Sequence, residues 1–327
     1  MHLTKKTIFL AILAVIVGGV LWWVKGFFNK EIDVIGNNTK TEDEKALIFP
    51  FAKDKLNLSE YVLPKEEKDR LDILILGLRG KDDPDGGLLT DTIMLFSYDR
   101  QTKRSSLVSI PRDLYVYFDD KHANKINVAY ETLGLKKTRQ LFSKVTGVYI
   151  DNAVVFDFAA FKQIIDGLGG IDVTLDKPFY EKSQWGYEFS LPAGENHLNG
   201  EQALYYARSR YSSSDFDRAR RQQQIISAIK TKVGQMDLLS NPLDALSFLN
   251  TVRNHITTDF NLTDTGTLIN LAKDFENVSG SMRREVLSPD NLLYHPDIPE
   301  IYILLPKNDT LKTIQDYFKG TLTPAKP

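Results

Sequence analysis

The sequence predicts an α/β fold in a single domain, and three observations carry that prediction. Residues 71–78 (LDILILGL) form an almost unbroken apolar run with a glycine near its end, which suits a strand buried on both faces. Two further strand-like runs, 93–98 and 105–110, are separated by the short polar turn DRQTKR, which suggests a hairpin. Beyond them, helical and strand-like patterns mix along the chain, as a single α/β domain requires.

The chain begins with an uncharged stretch at 8–24, about seventeen residues and near the lower limit for a membrane span. Trp22 and Trp23 stand at its end, where interfacial aromatics belong. Lys5 and Lys6 precede it, while Lys25 and Lys30 follow, diluted by Glu31 and Asp33. That bias leans toward a cytoplasmic N-terminus. A cleaved signal peptide is the alternative, but no small-x-small site follows the apolar run, which favours an uncleaved anchor. The expected organisation is a cytoplasmic tip and single-pass anchor in the cell membrane (1–28) and an extracytoplasmic linker (29–67). A folded domain follows at 68–320, with its core at 71–233, and then a disordered tail at 321–327.

Within the domain, 79–90 (RGKDDPDGGLLT) reads as a loop rich in glycine and acids. Asp91 and Thr92 lead into the second strand, and the third runs straight into Pro111, Arg112 and Asp113. A hairpin therefore brings Asp91 and Arg112 out at one edge, near the loop after Gly77, as strand ends do in open α/β sheets. Residues 125–133 read as a helix with Lys125 and Asn127 near its start, and 138–145 as a second helix. A short strand at 152–156, a helix at 158–165 and a strand at 171–175 follow, with Gly169 and Gly170 breaking the helix. Residues 189–194 and 196–200 are turn-rich. Asn199 with Gln202 resembles a capping pair for a helix through Ala207, which delivers Arg208 and Arg210 at its exit. The rest is mostly helical (225–233, 243–255, 262–275 and 310–318), with one or two short strands within 286–305.

Composition narrows the function. A hydrophobic content of 42% is ordinary for a folded protein. The net charge of −2 leaves no global basic field, so no nucleic-acid partner is expected. There is no cysteine, hence no disulfide framework and no thiolate chemistry. His122, His197, His255 and His295 are scattered without metal-ligand spacing, and no Ser-His-Asp order or P-loop is present. No organic cofactor is expected.

The most informative stretch is 208–224, RSRYSSSDFDRARRQQQ, with Arg208, Arg210, Arg218, Arg220 and Arg221 interleaved with Asp215 and Asp217. On a helical period, Arg218, Gln222, Ile225 and Ile229 share one face, with Asp215 or Ser214 placed to cap the first turn. Arg208 and Arg210, two apart, would point the same way in an extended segment. Arginine heading toward a core needs an anion, and its planar fork suits phosphate. The stretch is either one wall of a phosphate or pyrophosphate site or a solvated basic helix start with Asp215 as a plain cap.

Taken together, the motifs resemble the LytR-CpsA-Psr family of cell-wall glycopolymer ligases. They are Asp91-Thr92-Ile93-Met94, SIPRD at 109–113, Lys125-Ile126-Asn127 with Ala129-Tyr130, Gly169-Gly170-Ile171, LNGEQALYYARSR at 198–210, and Asp215, Arg218, Arg221, Gln222 and Gln223. Their order and spacing are specific over most of 71–224, with a weaker echo beyond. The resemblance implies a single-pass membrane enzyme with a mixed central sheet flanked by helices. It implies transfer of a polyprenyl-(pyro)phosphate-linked glycopolymer, of teichoic acid or capsule type, onto a peptidoglycan hydroxyl, with Mg²⁺ at the pyrophosphate. It makes Asp91 a metal ligand, directly or through water, and Arg112, Arg208, Arg210 and Arg218 pyrophosphate ligands. Arg221 belongs to the same basic motif and is carried over with them. Gln222 would hold a phosphate oxygen or brace an arginine, Asp215 would orient arginines or activate the acceptor hydroxyl, and Lys125 and Asn127 would line the rim. The chain departs from the family pattern where a second acid is usual: Leu78 or Arg79 stands there, and either one of the later acids Asp82, Asp83 and Asp85 folds back or Arg79 replaces charge the metal would have supplied. A polyprenyl-pyrophosphate phosphatase and a non-catalytic receptor for glycopolymer or lipid pyrophosphate stand as alternative functions.

Overall fold

The computed structural model describes residues 56–323, apart from 82, 85, 120–121, 183, 185, 211–213, 236–254, 261–273, 275–281 and 299–300. The expected anchor at 8–24, and the expected helices at 243–255 and 262–275 save His255 and Asp274, lie outside the described residues. Among the described residues, no helix is long and apolar enough to cross a membrane.

A six-stranded mixed sheet organises the chain. Its central strand β1 (Arg70–Gly80) pairs antiparallel with β2 (Gly87–Asp99) on one side and parallel with β6 (Asn152–Phe156) on the other. β3 (Ser105–Ser109) continues antiparallel from β2, and β12 (Arg283–Val286) and β11 (Ile256–Thr258) close the edges, giving the order β11-β6-β1-β2-β3-β12. The expected double burial of β1 is realised. Leu74 and Leu76 enter the main core, while Ile75 and Gly77 face a cavity under the helices.

The main core is closed by α1 (Ala129–Thr146) through Phe142 and Val145, and by the last helix α5 (Lys312–Gly320) through Ile314 and Phe318. Each such fully buried side chain contributes about 1.5–3 kcal/mol. α1 spans both expected helices. Gly134, at φ 71° and ψ 172°, absorbs the break between them, a conformation a Cβ would strain. Lys125 precedes this helix rather than starting it: it ends β5 (Ala123–Lys125), which pairs with β4 (Tyr115–Tyr117), and a 3₁₀ turn follows.

A second, smaller core lies on the other side of the sheet. It joins α2 (Phe158–Gly167), β7 (Ile171–Leu175), β9 (Phe189–Leu191), β10 (Gly194–Leu198), α3 (Gly200–Arg208) and α4 (Asp215–Gln235). β9 pairs with β8 (Phe179–Glu181) and β10 with β7, so the stretch expected to be turns is largely strand. Alternating burial in β10 (Asn196 and Leu198 in, Glu195 and His197 out) shows why: these strands gain stability from packing one face, not from propensity. β13 (Leu293–Tyr294) and β14 (Leu305–Pro306) pair near the C-terminus.

Three expected boundaries move. Leu56 and Leu58 are buried and Asn57 bridges Tyr117, so the segment expected as linker joins the core from residue 56. Thr321 and Leu322 are buried too, so the expected tail is packed at its start. The expected loop 79–90 is half strand: β1 runs to Gly80, β2 starts at Gly87, and Asp91 lies within β2.

Candidate functional site

The register of the central hairpin builds the site. Met94 pairs with Ser109 and Leu78 with Thr90, so the C-terminal end of β1, the first half of β2 and the exit of β3 share one rim. There Arg112 Nη1 donates to Asp91 Oδ1 at 2.5 Å. α4 lies over this rim because Ser214 starts it. The Ser214 hydroxyl accepts from Asp217 N at 3.1 Å while the Asp217 carboxylate accepts from Ser214 N at 3.2 Å, a reciprocal cap. Ser214, not Asp215, is therefore the cap. Asp215 instead accepts from Arg218 Nη2 at 2.8 Å and lies 3.1 Å from Arg210 Nε.

The glutamines that follow lock the helix. Gln222 Nε2 donates to the Ala207 carbonyl at 3.3 Å. The buried Gln223 donates to Ser109 Oγ and the Glu285 carbonyl at 2.8 and 2.6 Å. Gln224 accepts from the Tyr206 hydroxyl at 2.8 Å. The expected inward face holds, with Arg218 and Ile225 buried and Gln222 beside them.

Two adjoining cavities result. A polar one of about 20 Å³ is lined by Asp91, Arg112, Asp215, Arg218 and Gln222 among others. An apolar one of about 40 Å³ lies between Gly77, Phe156, Phe158, Leu204 and Ile226, with Arg208 and Gln222 in its wall. As it stands it admits one or two waters, so a lipid chain would have to widen it. Thr92 and Gln222 line both.

The electrostatics are lopsided. Among the described residues, Arg79, Arg112, Lys125, Arg208, Arg210 and Arg218 have Asp83, Asp91, Asp113, Glu201 and Asp215 as acidic neighbours. Burial and the neighbouring Arg79 guanidinium push Arg208 below the usual arginine value. Burial, with Arg112 and Arg210 adding to it, does the same to Arg218 despite Asp215. Burial also opposes the charge of Arg112, but Asp91, Asp215 and Asp113 outweigh it and hold its pKa up. Among the described residues, the Nε atoms of Arg112 and Arg218, Asn127 Oδ1 and Asp215 Oδ1 are buried without hydrogen-bond partners.

The remaining sequence-predicted residues divide. Arg208 ends α3 and stacks on Phe158, 4.2 Å from the ring centroid, while Arg210 turns to Asp215, so the two do not point the same way. Lys125 holds Asp113 at 2.7 Å, which in turn lies 3.7 Å from Arg112. Asn127 is buried below the rim, its carbonyl bonded by Thr90. Arg79 lies 3.8 Å from Asp83. Arg221 lines neither cavity. Its guanidinium donates to the Tyr206 and Ser209 carbonyls and stacks on Phe179, so it braces the exit of α3 instead of facing a ligand.

That brace belongs to a clamp the sequence did not disclose. The buried Glu181 accepts from the Ser209 hydroxyl. Gln184 donates to the Arg208 carbonyl at 3.2 Å and accepts from Arg210 N at 2.6 Å. Nothing in the spacing of Glu181 or Gln184 marks them. Asp113 was signalled by its place in SIPRD beside Arg112, without a role of its own.

A magnesium ion fits this donor set only in company with a substrate. Among the described residues no group of three metal-ligating side chains exists. Asp91 Oδ1 is committed to Arg112, whereas Oδ2 has no hydrogen-bond partner among the described residues. One carboxylate completed by phosphate oxygens and water is an ordinary Mg²⁺ arrangement.

Comparison with known proteins agrees with the geometry. The model of the LytR_cpsA_psr family matches residues 31–300. The chain is 33% identical to the regulatory protein MsrR of Staphylococcus aureus (strain Mu50) over 186 residues, 56% of this chain and 54% of MsrR, so it spans about half the length of that relative. It is 29% identical over 282 residues to the polyisoprenyl-teichoic acid–peptidoglycan teichoic acid transferase TagV of Bacillus subtilis, covering 83% of this chain and 71% of TagV. The crystal structure of B. subtilis TagV matches with a TM-score of 0.62 at 26% identity, over 80% of this chain and all of that one. A structure of TagT bound to LI-WTA matches in fold, with a TM-score of 0.60 at 21% identity, over 81% of this chain and 96% of that one.

Proposed function

Because the chain belongs to the LytR_cpsA_psr family, we propose that it is a membrane-anchored phosphotransferase. It moves a polyprenyl-pyrophosphate-linked anionic glycopolymer onto a peptidoglycan hydroxyl. The observation that carries this reading is the convergence of Arg112 and Arg218 on the polar cavity, with Arg208 in the wall of the apolar cavity that adjoins it. A lipid-borne diphosphate needs both in one place.

In this reading the diphosphate displaces Arg112 from Asp91 and lies between Arg112, Arg208, Arg210 and Arg218, with Arg79 behind Arg208. Positioning and charge neutralisation are the main resources of phosphoryl transfer. The acceptor hydroxyl attacks the phosphorus bearing the glycopolymer, the bond to the bridging oxygen breaks, and polyprenyl phosphate leaves. Asp215, whose Oδ1 lies 3.1 Å from Arg210 Nε and whose Oδ2 accepts from Arg218, takes the hydroxyl proton and orients Arg210 and Arg218. A Mg²⁺ on Asp91 would add positive charge at the phosphates. Gln222 steadies a phosphate oxygen, Lys125 and Asn127 support the rim through Asp113 and Thr90, and Arg221 acts indirectly by bracing Arg208.

The test is the full chain in detergent with a polyprenyl-pyrophosphate glycopolymer and peptidoglycan. Transfer is expected, and it should disappear in Arg208→Ala while circular dichroism stays native. Phosphate released without an acceptor would replace this reading by a pyrophosphatase. Binding without turnover, unaffected by Asp91→Ala, would replace it by a receptor.

A further inference from the structure

An in-line displacement needs the attacking oxygen opposite the leaving group, and the rim is ordered in a way that says where each belongs. The apolar cavity lies over β6, β1 and β2. The polar cavity lies next along the sheet, over β2, β3 and β12. Beyond it the chain leaves β3 through Arg112 and Asp113, and a second segment runs beside that exit. Leu304 forms a parallel bridge with Leu114, Leu304 N donates to the Asp113 carbonyl and Tyr115 N to the Leu304 carbonyl, each at 2.9 Å. That bridge puts Tyr302, two residues before Leu304, near the turn that carries Arg112 and Asp113.

Tyr302 is placed as a surface feature, not as part of the core. Ile303, Leu304 and Leu305 are all buried and fix the segment, yet Tyr302 is 47% exposed. The exposed His295 lies beside it, ring centroids 4.7 Å apart and planes tilted by 43°. Burial, and then the charges of Asp113 and Asp215, raise the pKa of its hydroxyl, consistent with a ring beside the acids of the polar cavity. A rigid aromatic face with a polar tip offers contact area at low entropic cost, and the C–H face of a pyranose is its natural complement.

Resting on the phosphotransferase reading, we infer that Tyr302 and His295 form the platform on which the acceptor sugar stacks. The platform lies on the side of Arg112 away from the apolar cavity, so that the sugar's hydroxyl meets the phosphorus opposite the departing lipid phosphate. The ligand class is an uncharged N-acetylated hexosamine in a glycan strand.

The experiment uses the full chain in detergent, the lipid-linked donor and a soluble N-acetylglucosamine oligomer as acceptor. Tyr302→Ala should raise the acceptor KM about 10-fold and leave the donor KM alone. Tyr302→Phe should stay within about 3-fold of wild type, because stacking needs the ring and not the hydroxyl. An unchanged acceptor KM in Tyr302→Ala, or an equal loss in Tyr302→Phe, overturns the inference. A wild type that transfers nothing overturns the phosphotransferase reading instead. The platform is then judged by saturation-transfer NMR with the same oligomer: signal lost in Tyr302→Ala supports it, and signal retained overturns it.

Discussion

The two ends of β1 both bury charge, and they do so in opposite ways. At Arg70 the cluster is closed. Arg70 Nε and Nη2 reach the Asp72 carboxylate at 2.6 and 3.1 Å, and Nη2 also meets Ser97 Oγ and the Phe318 carbonyl at 3.2 and 3.1 Å. Asp151 completes it by accepting from Asp72 N at 2.7 Å. At the other end, past Gly77, five guanidinium groups crowd one rim, and among the described residues the Nε atoms of Arg112 and Arg218 have no hydrogen-bond acceptor. A buried charge network serves the fold when every partner is present, and an incomplete one costs stability that only a ligand can return. The contrast sets the Arg70 end apart as scaffold and the Arg112 end as the candidate site.

The contrast can be broken most forcefully with the double variant Arg208→Met, Arg218→Met. Transfer should fall by about 10³-fold or more, whereas the thermal midpoint should hold or rise, because burial already opposes both charges. A collapse of the midpoint would make these arginines scaffold as well. The reciprocal change, Arg70→Met, strands the buried Asp72 and should cost about 3–5 kcal/mol in urea denaturation, with transfer per folded molecule unchanged. Inorganic pyrophosphate sharpens the difference without mutation. At 100-fold over its Kd it should stabilise the wild type by about 2.7 kcal/mol and leave the double methionine variant where it was.

The smallest effect is a pH dependence at the closed end. Burial, with the neighbouring Asp72 charge adding to it, pushes Asp151 from 3.8 up to about 7. The folded state therefore holds a proton that the unfolded chain has released. This contribution is fully present below about pH 4 and is lost as pH rises toward 7. Asp151→Asn should flatten that slope and leave transfer intact, as read by thermal midpoints from pH 4 to 8.

Much of this was legible in the residues. Strands at 152–156 and 171–175 coincide with the structure, and the hairpin that joins Asp91 to Arg112 follows from a short polar turn between two apolar runs. The Asn199–Gln202 capping box was equally plain, since capping is a local reaction between side chain and adjacent backbone. What was hidden is non-local. β9 and β10 contain or adjoin Pro192, Gly194 and Asn196, which read as turns, and only partners at β8 and β7 make them strands. Leu56–Leu58 looked like linker because three residues carry no periodicity, yet the bridge from Asn57 to Tyr117 seats them in the core.

The arginines show the same division. Sequence by itself determined that a basic, glutamine-rich helix start would turn one face inward, because helical period is a local fact, and it left open whether that face meets an anion or solvent. Tertiary structure alone decided which arginine does what. Arg218 opens onto a cavity and Arg221, three residues on, is spent on the carbonyls of Tyr206 and Ser209. The physical reason is that a guanidinium's role depends on which acceptors lie within hydrogen-bond reach, and those acceptors come from strands and helices far away in the chain.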